Sequence, residues 1–205
     1  MVADAVSRIG EIDLLLIGGD LTNAGTPEQV EDAIAGWQEL VPRVLAVAGN
    51  MDSAAIDERL ADLGVSLNGA GVMVDQLGFF GVSAAPRSPL RTPYEVDEAE
   101  LARQIELGWP TVAAASVRIF CPHAPPRETA CDRLSSGQHV GSAAVRAFVE
   151  REQPDLVLCG HIHESRGMDM IGQSRIVNPG PAATGHFAMV DTEPELVVRL
   201  DDEFR

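Results

Sequence analysis

Apolar runs alternate with amphipathic segments through the first third of the chain. Residues 13–17 are almost entirely apolar and end at a glycine pair, and residues 44–47 repeat the pattern, so each predicts a buried strand. Residues 26–40 begin with Thr-Pro and carry Gln three positions after the threonine, which predicts a capped helix. Residues 53–63 predict another helix, ended by Gly64. This alternation predicts an α/β fold with parallel strands at its centre.

The second half of the chain is richer in strand-like runs. Apolar or alternating segments predict strands over 72–74, 79–82, 117–120, 156–159, 175–177, 187–190 and 196–199. A helix is predicted over 141–150. Two sheets packed face to face, with helices on the outside, would bury these runs.

The composition changes over 85–109. Three prolines stiffen a loop that carries Arg87 and Arg91, and a polar, acidic helix is predicted over 97–107. We interpret this segment as a loop–helix insertion that is too short to form a domain. Residues 1–205 are therefore predicted to form a single domain.

The charge of the chain narrows the classes of partner. The net charge is −16, from 31 acidic and 15 basic residues, and every basic residue is arginine. Such a surface repels phosphate backbones, so no nucleic-acid polymer is expected to bind. No apolar run approaches the roughly 18 residues needed to span a bilayer and no signal peptide is recognisable, so we expect a cytoplasmic protein without membrane contact. The lysine-free, acidic composition is explained equally by adaptation to high salt or by a GC-rich genome.

Four short polar segments follow predicted strands and carry the metal-ligand chemistry. They contain Asp20, Asn50, His123 and the pair His161 and His163. Taken singly, the first three are more often turn or structural residues, whereas two histidines at i and i+2 lie about 6–7 Å apart and can serve one site or two neighbouring ions. Oxygen and imidazole donors without thiolate favour one or two divalent ions such as Mn, Fe, Zn or Ni.

The order Gly-Asp, Gly-Asn, His, Gly-His-x-His resembles the motif set of the calcineurin-like metallophosphoesterases. Within them, the chain is most similar to small prokaryotic phosphoesterases related to cyclic-nucleotide phosphodiesterases. Further matching stretches are residues 139–142, 153–164 and 177–180. The resemblance covers nearly the whole chain and implies a four-layer α/β/β/α sandwich with a two-metal centre.

The resemblance also implies roles for the five residues. Asp20 would bridge two metals, Asn50, His123 and His161 would complete the shell of one metal, and His163 would belong to the other. The implied activity is hydrolysis of a small phosphoester, above all a phosphodiester, by a metal-bound hydroxide, with Asp20, Asn50 and His161 as catalytic residues. The alternative is a non-enzymatic scaffold on the same fold, or an inactive fragment with an incomplete two-metal site.

The sequence departs from the family at its start. The family begins with a strand ending in Asp-x-His, and no such motif precedes Asp20; the chain opens at Met1, inside what resembles the following helix. We therefore expect an N-terminally truncated sandwich in which one metal keeps four ligands and the other keeps Asp20 and His163. A missing strand would expose the edge of its neighbour, which a homodimer would cover.

The roles of four further residues are open at this point. Met51 stands where the family often has a histidine that protonates the leaving oxygen, and methionine has no proton to donate, so good leaving groups should be favoured. Asp52 either orients its neighbours or caps the helix that begins at Ser53. Arg87 and Arg91 could pair with a substrate phosphate, although ordinary surface ion pairs are the expected role on so acidic a chain.

Overall fold

The computed structural model describes residues 2–9 and 11–201, apart from the side chains of residues 4 and 8. The helices in this part of the chain are α1 (Val2–Ile9), α2 (Pro27–Gln38), α3 (Ala54–Asp62), α4 (Glu98–Val112) and α5 (Ala143–Glu152). The strands are β1 (Leu15–Ile17), β2 (Val44–Ala46), β3 (Gly71–Val74), β4 (Leu77–Val82), β5 (Ala85–Pro86), β6 (Glu95–Val96), β7 (Val117–Pro122), β8 (Leu156–Leu158), β9 (Gly167–Ile171), β10 (Ser174–Asn178), β11 (Ala188–Asp191) and β12 (Val197–Leu200). Met1, named above as the start of the chain, lies outside the described residues.

The strands form one large sheet and three small ones. The large sheet has the order β3-β4-β7-β8-β10-β9, with the four inner strands parallel and the two outer strands antiparallel to their neighbours. Strands β1 and β2 pair in parallel, as do the short β5 and β6, and β11 and β12 form an antiparallel pair. The parallel centre expected from the alternation is confirmed.

Three apolar clusters define the layers. The first lies between α1–α3 and the β1–β2 sheet and includes Ile34 and Leu60. The second lies between the sheets and includes Val47 and Leu156. The third lies between the large sheet and helices α4 and α5, where Phe120 stacks on Phe80 with ring centroids 4.5 Å apart. The layers thus follow the order helix, sheet, sheet, helix, and the predicted fold class is confirmed.

The helix starts follow the predicted local chemistry. At the start of α2, the N–H of Thr26 donates to Gln29 Oε1 over 3.0 Å, and proline occupies the first helical position. At the start of α3, Ser53 Oγ accepts the N–H of Ile56. Gly64 follows α3 with φ +70°, a backbone angle that favours glycine.

Helix α4 extends beyond its predicted end. It runs to Val112, five residues past the expected boundary, and contains Pro110. The sequence suggested a polar helix, but Leu101, Ile105 and Val112 are buried against the large sheet. That packing stabilises the extra turn. Whether 85–109 is an insertion relative to other proteins stays a prediction, as does the single-domain division.

Strand β9 has no counterpart among the predicted strands. Its Met168 and Met170 are exposed at the edge of the large sheet, because only one face of this strand packs against the core. The sequence Gly-Met-Asp-Met-Ile, with a single polar residue in five positions, is too weak a strand signal to detect. No helix in the described part of the chain is long and apolar enough to cross a bilayer.

Candidate metal centre

The carboxyl ends of four strands bring the predicted ligands together. Asp20 follows β1 and Asn50 follows β2, while His123 comes directly after β7 and His161 follows β8. Functional groups of α/β sheets gather beyond the carboxyl ends of parallel strands. Four of the five predicted residues, distant in sequence, therefore share one edge of the fold.

Asn50 lies at the centre of this group. Its side-chain Oδ1 is 3.0 Å from His123 Nε2 and 2.7 Å from His161 Nδ1. Asp20 Oδ1 is 3.6 Å from His123 Nε2. Donors bound at about 2.1 Å to one tetrahedral ion lie roughly 3.4 Å apart, so these separations suit a shared cation.

The backbone fixes the tautomer of His123. Its Nδ1 lies 2.7 Å from the carbonyl oxygen of Gly18, which can only accept, so Nδ1 carries the hydrogen. In the neutral ring, Nε2 then presents a lone pair to Asn50 Oδ1, which is also an acceptor. Two buried acceptors that face each other at 3.0 Å without a proton between them match the needs of a bound cation.

His161 is held in its neutral form. Burial and, after it, the nearby His123 lower the pKa of this ring to about 4, although the carboxylate of Asp20 opposes both. A metal ligand must be an unprotonated imidazole, so this side chain is ready to bind an ion at neutral pH. The lowered pKa of His161 thus arises from burial and from the charges around the ring.

Two of the ligand positions have unusual backbone conformations. Asp20 has φ +53° and His161 has φ +64°, in the left-handed region that non-glycine residues seldom occupy. A residue held there costs about 1–3 kcal/mol, and such positions cluster at functional sites. The absence of a side chain at Gly49 allows the Asp20 carboxylate to lie against the backbone there, since a Cβ at this position would lie 2.1 Å from Asp20 Oδ1.

Asp52 joins the two loops that carry Asp20 and Asn50. Its fully buried carboxylate accepts the N–H groups of Leu21 at 3.1 Å, Thr22 at 2.9 Å and Gly49 at 2.8 Å, together with the hydroxyl of Thr22 at 2.9 Å. The N–H of Met51 donates to Asp20 Oδ1 over 2.8 Å. Of the two roles left open for Asp52, orientation of its neighbours is the one observed, and Ser53 caps the helix itself.

A buried carboxylate that sequence reasoning missed lies behind Asn50. The oxygens of Asp57 accept from three side chains: Asn68 Nδ2 at 2.6 Å, Ser83 Oγ at 2.8 Å and the Tyr94 hydroxyl at 2.9 Å. Burial raises the pKa of the Asp57 carboxyl, although these hydrogen bonds oppose the effect. The N–H of Tyr94 donates to the carbonyl of Asn50 over 3.0 Å, so the network supports a ligand-bearing loop. In sequence, Asp57 is indistinguishable from an ordinary acid in the first turn of a helix.

His163 is placed differently from the other four. It is exposed and begins a short 3₁₀ helix, His163–Ser165, and its charge contributes to the low pKa of His161. In residues 2–9 and 11–201, no group of three or more His, Cys, Asp and Glu side chains could by itself hold a metal ion, so the candidate donor set includes the amide oxygen of Asn50. The assignment of His163 to a second metal stays a prediction.

The fold and this donor set define a class of protein. The family model for calcineurin-like phosphoesterases matches residues 2–165. The chain therefore belongs to the calcineurin-like phosphoesterase family, whose members are generally metal-dependent phosphoester hydrolases.

Individual proteins are similar to this chain over nearly its whole length. The chain is 32% identical over 195 residues to the uncharacterised protein MJ1162 of Methanocaldococcus jannaschii, covering 93% of this chain and 85% of that one. The structure of TT1561 of Thermus thermophilus matches with a TM-score of 0.70 at 16% identity, over 96% of this chain and 89% of that one. The phosphopantetheinyl hydrolase of Mycobacterium tuberculosis matches with a TM-score of 0.61 at 13% identity, over 97% and 89% of the two chains. At such identities, the two structures show a shared fold.

Proposed function

We propose that this protein is a metal-dependent phosphoesterase that hydrolyses small phosphoesters, phosphodiesters in particular. The observation that carries the proposal is the convergence of Asn50 Oδ1, His123 Nε2, His161 Nδ1 and Asp20 Oδ1 at one edge of the fold. Those side chains would hold one divalent ion of the Mn, Fe, Zn or Ni group, and Asp20 with His163 would contribute to a second. An ion held by these side chains would neutralise charge on phosphoryl oxygens and lower the pKa of water, so that hydroxide is available as the nucleophile near neutral pH.

The residues of the chain prepare the site for that chemistry. The Gly18 carbonyl sets the tautomer of His123, the low pKa of His161 keeps that ring unprotonated, and the N–H of Met51 fixes one oxygen of Asp20. Preorganised groups of this kind need not rearrange when charge develops on the phosphoryl oxygens. Asp20, Asn50 and His161 are the catalytic residues that we propose.

The substrate is expected to be small. A net charge of −16 opposes the approach of a polyanionic nucleic acid, whereas a small phosphoester brings few charges and can be compensated locally. Because Met51 offers no proton, the leaving oxygen departs without help from that position.

Metal titration and turnover together test the proposal. We expect the protein to bind Mn²⁺ and to hydrolyse bis-p-nitrophenyl phosphate, and His123→Gln to weaken Mn²⁺ binding and reduce kcat/KM by at least about a hundredfold. His186→Gln is the matched control, since His186 faces Asp201 and not the ligand cluster. Metal binding measured by calorimetry without turnover would support the scaffold alternative, and loss of neither property in His123→Gln would refute the proposed site.

A further inference from the structure

A rigid loop with two arginines stands beside the ligand cluster. The loop connects β5 to β6, which pair in parallel. Glu95 fixes the loop through four hydrogen bonds. Its carboxylate accepts the N–H and hydroxyl of Ser88 at 2.9 and 2.6 Å, and those of Thr92 at 3.0 and 2.8 Å. Burial raises the pKa of Glu95, but these hydrogen bonds outweigh it and bring the pKa to about 2. An ionised acceptor with four bonds leaves the loop little freedom to rearrange.

The loop is anchored to the strand that leads into Asn50. The N–H of Tyr94 donates to the carbonyl of Asn50 over 3.0 Å, and the N–H of Ala84, just before β5, donates to the carbonyl of Ala48 over 3.0 Å. Tyr94 immediately precedes Glu95, so the base of the loop lies directly against the segment that carries the candidate ligand Asn50. A ligand held by the loop would therefore be close to a phosphoester held at the candidate metal centre.

The loop lines an open cleft with a volume of about 460 Å³. It is lined by Arg87, Ser88, Arg91, Thr92, Pro93 and Glu95. Neither guanidinium forms an ion pair with a carboxylate of the described residues, and the oxygens of Glu95 are engaged by Ser88 and Thr92. Among the described residues, the surface ion pairs that the sequence led us to expect for these two arginines are thus absent.

The backbone of the loop tip is itself unusual. Arg91 has φ +52°, which is costly for a residue with a side chain. Arg91 thus lines the cleft despite its strained backbone. The chain as a whole has twice as many acidic as basic residues. Strained positions of this kind are typical of ligand-binding loops.

We propose that Arg87 and Arg91 bind a second phosphoryl group of the substrate, separate from the phosphoester that is cleaved. Guanidinium groups bind phosphate oxygens through paired, charge-assisted hydrogen bonds, and two of them around one cleft match a doubly charged group. This inference rests on the proposed function and names its substrate class: small phosphoesters that carry an additional phosphate. It also explains how so acidic a protein attracts an anionic substrate to one place on its surface.

Phosphate binding without metal tests the cleft alone. Inorganic phosphate is titrated calorimetrically at low ionic strength into the full chain kept free of metal with EDTA. We expect binding that the double variant Arg87→Gln and Arg91→Gln weakens by roughly tenfold or more. The control double variant Arg43→Gln and Arg175→Gln removes the same charge before β2 and in β10, remote from the loop, and should bind like the wild type. No binding by the wild type, or equal losses in the two double variants, would overturn the assignment of the cleft.

Kinetics then test the substrate class. The p-nitrophenyl ester of thymidine 5′-phosphate is compared with the same ester carrying a 3′-phosphate, so that both substrates lose the same leaving group. With Mn²⁺, we expect the wild type to show a lower KM for the 3′-phosphorylated ester and the Arg87/Arg91 double variant to lose that advantage, with kcat little changed. Equal KM values in the wild type would refute the second phosphoryl group, even if free phosphate binds as an inhibitor. Absence of turnover on both esters would refute the proposed hydrolysis, while the calorimetric result still decides the cleft.

Discussion

At the scale of single residues, the candidate site is defined by which atoms carry protons. The Gly18 carbonyl places the hydrogen of His123 on Nδ1, and burial keeps His161 neutral. Asn50 contributes an amide oxygen, which does not ionise. Met51 is the exception in the cluster, because its side chain can neither give nor take a proton.

Replacement of Met51 by histidine tests how the lack of a proton donor at this position affects turnover. Met51 lies between Asn50 and Asp52, and its N–H donates to Asp20 Oδ1, so an imidazole here would belong to the loop that carries the candidate ligand Asn50. General acid catalysis contributes about 10²–10⁴-fold where the leaving group is poor, and little where it is good. We expect Met51→His to raise the ratio of alkyl to aryl phosphodiester turnover by at least about tenfold.

The ratio is the quantity to measure, because it cancels changes in folded fraction and metal content. Met51→Leu, which keeps an apolar side chain, should leave the ratio unchanged and serves as the control. A wild type that already cleaves alkyl and aryl esters at equal rates would contradict the interpretation of Met51.

At the scale of elements, carboxylates that accept several hydrogen bonds hold the loops that follow the strands. Asp52 joins the loops after β1 and β2, and Glu95 closes the loop between β5 and β6. Asp132 does the same in the segment between β7 and α5, where it accepts the N–H groups of Thr129 and Gly141 and contacts His139 Nδ1 at 2.6 Å. Each carboxylate has several oxygen lone pairs, so one side chain can satisfy many N–H groups of an irregular backbone.

Asp52→Asn tests whether such a carboxylate positions the metal ligands. The amide NH₂ would face N–H donors where the carboxylate accepted them, leaving buried donors unpaired. We expect a loss of about 2–4 kcal/mol in the free energy of unfolding and a weakening of Mn²⁺ binding by roughly ten- to a hundredfold. Urea unfolding gives the first quantity and calorimetry of the folded protein gives the second.

Asp62→Asn is the matched control, since Asp62 is exposed at the end of α3 and should change neither property. Destabilisation without weaker metal binding would show that Asp52 holds the fold together but does not position the ligands.

The sequence predicts residues that lie in local motifs, but not residues whose roles depend on tertiary contacts. Asp20, Asn50, His123 and His161 were predictable because each follows an apolar run in a motif of fixed composition. Asp57, Ser83 and Glu95 were not, because their roles come from contacts between segments that are far apart in sequence or from the closure of an irregular loop. Long strands such as β4 and β7 showed their apolar period, whereas β5 and β6, with two residues each, are too short to have one.

At the scale of the whole molecule, positive charge is scarce, and the arginines that carry it have different surroundings. The described residues place arginine in partly buried ion pairs such as Arg118 with Asp155 and Arg166 with Asp201, at 2.9 and 2.7 Å. Arg87 and Arg91 are kept out of such pairs beside the candidate metal centre. The remaining surface carries an excess of carboxylates, and these repel one another in the folded state more than in the expanded unfolded chain.

Salt should therefore stabilise the protein, and the range over which it does so separates the two explanations of its composition. With a net charge of −16, we expect the free energy of unfolding to rise as added NaCl shortens the Debye length from about 30 to about 8 Å, because carboxylate repulsion is screened. Screening is nearly complete beyond that point, so a chain that is acidic through genome composition should then show a plateau in urea-unfolding experiments. A steady further rise in molar KCl would identify adaptation to salt, and stability independent of salt throughout would contradict surface repulsion altogether.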